Sequence, residues 1–372
     1  MKMTDLMTSG STRGVAGALL GLVAASVAGI SQAAPAEQHG SESRKGTVWV
    51  VNRDKGTLTV FCATDGARVA GPLFVGRGAH DVCLSERAGK AYVTAETDNV
   101  VTAVDLETLA TESIPVAPGP HHCEPSRDGR TLYVTLASHT VGGTATPTYA
   151  TIDTKDHSGP VQYVTTSLDP AARAHGPNPS PDGRTVYVAH DVGNQVTRVD
   201  TDTGAVTFLA SIPRAEESIL SRFGRLLWVS ARGDDTVRRI DLETNQMTPI
   251  PVGHEPESLM LTPSERTLVT SLRGTPAALS FVDTVDLARP AELVPIAGAG
   301  TFGDLAVISR DGRFVYATFD AGSAGTGGVA VVDVHTRRVV DTWLYPETGR
   351  PHGIWYSNRT RCPSCGSGEH RH

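Results

Sequence analysis

SRDGRTLYVT, Ser126–Thr135, decides the fold. Asp-Gly before a β-branched and aromatic run reads as a tight turn feeding a strand. The phrase recurs along the chain. It reads GKAYVT at Gly89–Thr94, GRTVYVAH at Gly183–His190, GRLLWVS at Gly224–Ser230, RTLVTS at Arg266–Ser271 and GRFVYAT at Gly312–Thr318, and VWVVN at Val48–Asn52 is the same strand without its prelude. A third strand follows each phrase and ends in Asp105, Asp153, Asp200, Asp241, Asp283 or Asp333, with Cys62 in that place in the first copy. Such an Asp can bond its own backbone two residues on and begin the next turn. Segments such as DVCLS, DLAVIS and GIWYS precede the phrases as innermost strands.

A unit of 40-odd residues carrying four short strands is a propeller blade. The expected fold is all-β: a seven-bladed β-propeller of four-stranded antiparallel blades. The first copy lacks an inner strand, whereas Arg350–Ser357 is an inner strand with nothing after it. The C-terminal inner strand therefore joins the N-terminal blade, which removes free sheet edges. Plentiful glycine (38) and proline (23) suit many turns and short strands. The propeller is expected over 46–357, after a signal peptide (1–33) and a polar linker (34–45), and before a Cys/His-containing tail (358–372).

The Y-V-T/A/S phrases, the P-D-G-R turn and RPHGI at Arg350–Ile354 resemble the YVTN-repeat β-propellers of secreted bacterial proteins, in the lactonase-like and nitrite-reductase-like propeller superfamily. The resemblance spans nearly the whole mature chain. It implies the fold and leaves the activity open.

The formal charge of −7 argues against broad nucleic-acid binding, which needs a basic stripe. Lys2 and Arg13 precede an apolar run, Val15–Ile30, and the small-residue site Ser31-Gln32-Ala33. The run falls short of the roughly 20 residues of a membrane span, so the layout is that of a cleaved export signal. The mature protein is expected to be secreted or extracytoplasmic, monomeric, and without a membrane span. Of five cysteines, at least one must stay unpaired within a monomer. Cys362 and Cys365 read as a local disulfide in the tail, or with His370 and His372 as a soft-metal site.

The chemistry lies five residues before the Ser or Thr that ends each inner strand. Those positions hold His80, His121, His175, Glu216, Glu257, Asp304 and His352. His, Asp and Glu make up roughly one residue in seven, so random placement gives about one in such a set. Around the closed ring four histidines sit on consecutive blades and three carboxylates on the rest. The four histidines are candidate ligands of a transition metal, copper or iron first, with manganese or zinc as alternatives. Glu216, Glu257 and Asp304 are candidate catalytic groups that orient imidazoles or move protons. A purely structural ring bonding neighbouring blades is the alternative. The pattern is similar to that of the carotenoid-cleavage oxygenases, four histidines on iron with three acidic neighbours.

Asp81, His122 and Glu217 lie one residue further along, and Cys123 two past His121. His122, His190, Arg232 and Arg273 are candidate substrate contacts, the arginines for a carboxylate or phosphate. The long loop His139–Tyr149 is placed to cover part of the mouth. The chain has no G-x-S-x-G elbow, H-E-x-x-H helix, P-loop or C-x-x-C-H. Two functions remain: a secreted metal-dependent oxidoreductase, oxygenase or lyase taking a small-molecule or peptide ligand at the hub face, or a non-catalytic scaffold binding a protein, peptide or glycan. A lactonase-like site for magnesium or calcium matches poorly, since hard cations prefer oxygen ligands.

Overall fold

A computed structural model describes residues 44–358, apart from 142–143, 299, 323–325 and 346–348, together with 360 and 362. The expected signal peptide, most of the linker and Cys365, His370 and His372 lie outside the described residues.

Seven four-stranded antiparallel sheets form the blades, each joined in simple up-and-down order. The inner strands of blades 1 to 7 are Ala79–Ser85, Pro120–Pro125, Arg173–Pro179, Ala215–Leu220, Pro256–Leu261, Phe302–Ile308 and Pro351–Ser357. Each touches the next, and the seventh touches the first. Blade 7 is composite: Pro351–Ser357 pairs antiparallel with Thr47–Asn52, Trp49 opposite Trp355. The second strands, such as Lys90–Ala95 and Thr131–Leu136, are buried on both faces because blades pack face to face. They therefore read as near-continuous Val, Ala, Tyr and Thr rather than as alternation. The outermost strands, such as Thr111–Pro115, are largely exposed.

The repeated turn works through three side-chain features. In blade 2, Ser126 Oγ lies 2.7 Å from Asp128 Oδ1 and accepts the Thr131 N–H at 3.0 Å. Gly129 takes the left-handed φ of +66° that closes the turn, as Gly183 and Gly312 do elsewhere. Blade 5 departs from this pattern and puts Glu265 there, at φ +55°. The third-strand Asp caps its own turn: Asp200 Oδ1 accepts the N–H groups of Asp202 and Thr203 at 3.2 and 2.8 Å.

Two disulfides correct the sequence expectation. Cys62, at the position where six blades have a capping Asp, is bonded to Cys362. The local Cys362–Cys365 bond is thus excluded. Ring closure brings Cys62 and Cys362 within 5.3 Å between Cα atoms, although 300 positions separate them. Cys83 and Cys123 join the inner strands of blades 1 and 2. The insertion in blade 2 forms a small hairpin, Thr140–Val141 with Thr144–Ala145.

Candidate metal and ligand site at the hub

Every inner strand breaks register at the ring position. Pairing jumps between Ala79 and Val82, Pro120 and Cys123, Ala174 and Pro177, Ala215 and Ser218, Pro256 and Leu259, and Gly303 and Ala306. Blade 7 shows its own shift opposite Val50–Asn52. A bulge re-aims side chains that regular pleating would send to opposite faces. Both residues of a pair such as His121-His122 consequently face the axis, and the hub has two tiers.

The threonine of the repeated phrase holds the bulge. Thr94 Oγ1 accepts the Asp81 N–H at 3.1 Å and donates to the His121 carbonyl of the next blade at 2.6 Å. Thr135 repeats this for His122 and His175. Ser230 and Ser271 seat Glu217 and Ser258.

The upper tier holds His80, His121, His175, Glu216, Glu257, Asp304 and His352, all buried but for a part of His121. The rings crowd: centroids of His80 and His121 are 3.9 Å apart, and His80 and His352 4.1 Å. The lower tier adds Asp81, His122 and Glu217, with glycine at Gly176 and Gly353. A Cβ on Gly176 would meet Glu217 Oε2 at 2.3 Å, so the glycine makes room for that carboxylate.

The four expected ligands divide. His175 has both nitrogens engaged: Nδ1 donates to the Glu216 carbonyl at 2.9 Å, and Nε2 lies 2.8 Å from Glu216 Oε2. Burial opposes its charge, but Glu216 and Glu217 outweigh burial and raise its pKa well above the usual 6.5. His352 donates Nδ1–H to the His80 carbonyl at 2.9 Å and turns Nε2 toward Asp304 Oδ1 at 3.3 Å. His80 and His121 remain, and His122 joins them. His80 Nδ1, His121 Nδ1 and His122 Nε2 are buried and have no hydrogen-bond partner among the described residues. One ligand atom from each of these three histidines falls within 4.8 Å of the others. His122, expected as a substrate contact, thus belongs to the nitrogen cluster, and His352 stands outside it.

The cluster has carboxylates behind it, though not the expected ones. His121 Nε2 faces Glu96 Oε1 at 3.5 Å; His122 Nδ1 faces Glu217 Oε1 at 3.2 Å and Asp81 Oδ2 at 3.3 Å. Carboxylates on the far nitrogen of a metal-binding imidazole orient it and raise its basicity. Burial and the neighbouring rings hold His80 and His121 well below their usual pKa, which leaves them neutral with lone pairs free. At His122, burial is the largest influence and with His175 opposes the charge, but Glu217 and Asp81 together raise the pKa above the usual 6.5, so a metal ion held there would displace a proton. Two further groups that could hold an ion, His122/His175/Glu217 and His175/Glu216/Glu257, overlap the first.

Glu216, Glu257 and Asp304 are each held by arginines. Glu216 accepts from Arg232 at 3.0 Å, Glu257 from Arg273 at 3.4 Å, and Asp304 from Arg350 at 3.1 Å. Burial works against ionising Glu216, but His175 and Arg232 lower it to about 2.

Above the tier opens a cup of about 410 Å3, lined by His80, His121 and His175 and by Arg53, Arg173, Arg214, Arg232 and Arg273. Arg232 and Arg273 therefore lie where the sequence placed them. Arg53, Arg173, Arg214 and Glu96 were missed. Their signal was positional: one residue past a second strand, or two before a ring residue. His190 is absent from the cup; it is fully buried, its Nε2 3.1 Å from Thr166 Oγ1, which corrects its assignment as a substrate contact. On the other side of the tier a cavity of about 270 Å3 is lined by Asp81, His122, Glu124 and Glu217.

Comparison with solved structures agrees on the fold. Two putative 6-phosphogluconolactonases, from Bacteroides uniformis and Bacteroides fragilis NCTC 9343, superpose with a TM-score of 0.64 each, at 12% and 11% identity. They cover 84% and 86% of this chain and 100% and 99% of their own. The dihydro-haem d1 dehydrogenase NirN superposes at 0.58 with 16% identity, covering 88% of this chain and 78% of its own. No protein-family model matches the chain, and no curated protein does.

Proposed function

We propose that this propeller is a secreted metal-dependent enzyme whose hub holds one transition-metal ion on His80, His121 and His122, with the cup as its substrate chamber. The observation that carries this is a group of three buried imidazoles that bring one ligand atom apiece within 4.8 Å of one another, each ring also having a nitrogen without a hydrogen-bond partner among the described residues. A buried polar atom without a partner costs about 1–3 kcal/mol, and a metal ion would engage the lone pairs of His80 and His121, with His122 giving up its proton to join them. An imidazole set suits copper, iron, zinc or manganese, with copper or iron first as before. Bound there, such an ion supplies Lewis-acid or redox chemistry, so oxidoreductase, oxygenase and lyase activities stay within the proposal.

The chain's own groups take distinct roles. Glu96, Asp81 and Glu217 orient the ligands. His175 lines the cup as an imidazolium and can hand a proton to a bound substrate. Glu216, Glu257 and Asp304, first assigned to catalysis, anchor the arginines of the wall. The expected export signal and two disulfides support an extracytoplasmic location.

Metal stoichiometry tests the proposal. The full mature chain should retain about one copper, iron, zinc or manganese ion by mass spectrometry. His121→Ala and His122→Ala should lose it, whereas His352→Ala should keep it. Unchanged occupancy in the first two variants would move the metal to another site, such as the tail. No metal after aerobic and anaerobic reconstitution would favour the non-catalytic binding scaffold. One observation supports that second function: the ring carboxylates are already balanced by arginines without an ion.

A further inference from the structure

The wall of the cup is rich in guanidinium groups. The five guanidiniums of Arg53, Arg173, Arg214, Arg232 and Arg273 line it together with Glu96, Asp191, Glu216 and Glu257. Behind them Glu255 pairs with Arg214 and Arg232, and Asp304 with Arg273 and Arg350. Five arginines in one cup stand out on a chain whose formal charge is −7. Local potential rather than net charge decides what a concave site attracts.

The donors are in excess. Each guanidinium offers five N–H donors, about 25 in all. The lining arginines donate seven hydrogen bonds to carboxylates. Arg214 comes no closer than 3.6 Å to any carboxylate oxygen among the described residues. Arg273 makes a single long bond of 3.4 Å. Arg232 Nε is buried without a partner. A fork with unused donors is suited to an oxyanion, which it can grip bidentately.

Topology spreads these forks to two sides. Arg173, Arg214, Arg232 and Arg273 stand on blades 3, 4 and 5. Arg53 stands on blade 7, across the axis, beside the His80–His121 side of the tier. We propose that the cup seats a compact small molecule bearing oxyanion groups at two ends, one taken by Arg53 and the other by Arg214 and its neighbours. Its middle then lies over His80, His121 and His175. This deepens the metalloenzyme proposal by naming its substrate class, and it places the reacting centre against the imidazole cluster.

Calorimetry with succinate, acetate and choline tests it, on metal-stripped and metal-loaded full-length protein. Succinate should bind at least tenfold more tightly than acetate, and choline should not bind. The stripped protein should show the same ranking, so a missing metal and a missing anion site give different results. Arg53→Gln and Arg214→Gln should each bring succinate down to the affinity of acetate. Both side chains are partly exposed (33% and 47%), so their loss should leave the melting temperature near that of the parent. Equal affinity for succinate and acetate, or undiminished succinate binding in both variants, would overturn the proposal. Should a variant unfold, the salt series decides: succinate affinity of the parent protein must fall as sodium chloride rises, and a flat series overturns the proposal too.

Discussion

His122 is separated from His121 by one peptide bond, yet both rings reach the same cluster, their centroids 4.5 Å apart. Strict alternation would have sent His122 into the blade interface, which is why its place could not be read from spacing alone. The ring residues themselves were legible because their chemical type repeats at a fixed offset. Gly176 gives a test at the same scale. Gly176→Ala pushes a methyl into the Glu217 carboxylate, which backs His122. Metal affinity should drop by about 10–100-fold, the usual cost of losing such support, as read by competition with a chelator. His190 offers a second test. Burial lowers its pKa to about 4. The folded state then refuses a proton that the unfolded state takes at about 6.5. The stabilisation is complete above pH 6.5 and is lost progressively as pH falls from 6.5 through 4. Urea unfolding of His190→Gln should therefore show a shallower pH slope than the parent over that window, by on the order of 1.4 kcal/mol per pH unit. Parallel slopes would mean that His190 is protonated in the fold.

At the scale of elements, the second strand does two tasks. It is almost wholly buried, and its Thr94, Thr135 or Ser230 pins the bulge that aims the hub residues. The conspicuous phrase of the sequence is thus tied to the site through hydrogen bonds, which no strand pattern displays. The turns were read from Asp-Gly, and the structure refines how they work: glycine supplies the left-handed residue while Asp accepts hydrogen bonds. Blade 5 lacks that glycine. Glu265→Gly should relieve the left-handed strain, which costs about 1–2 kcal/mol for a residue with a Cβ. Part of the gain is offset by chain entropy and by the lost Glu265 bond to the Arg222 N–H. A net rise of about 0.5 kcal/mol is expected in urea denaturation, and a fall would show that the carboxylate contact matters more than the backbone.

Over the whole molecule, blade number and composite closure were legible because the repeat could be counted and its ends were complementary. The disulfide partners were not, since Cys62 and Cys362 become neighbours only after the ring has closed. Cys62 interrupts the otherwise regular capping Asp, and that irregularity was its one visible mark. Closure through Pro351–Ser357 and the Cys62–Cys362 bond act on the same blade. Cys62→Ser should cost about 2–4 kcal/mol of stability, measured by thermal or urea unfolding. A variant as stable as the parent would show that strand pairing alone closes the ring.

That bond closes residues 62–362 into a macrocycle. A protease that nicks any loop between Cys62 and Cys362 leaves one covalently joined molecule, and at least two cuts there are needed to release a fragment. When denatured without reductant, the chain should behave as a loop polymer, more compact in hydrodynamic radius than the same chain after reduction.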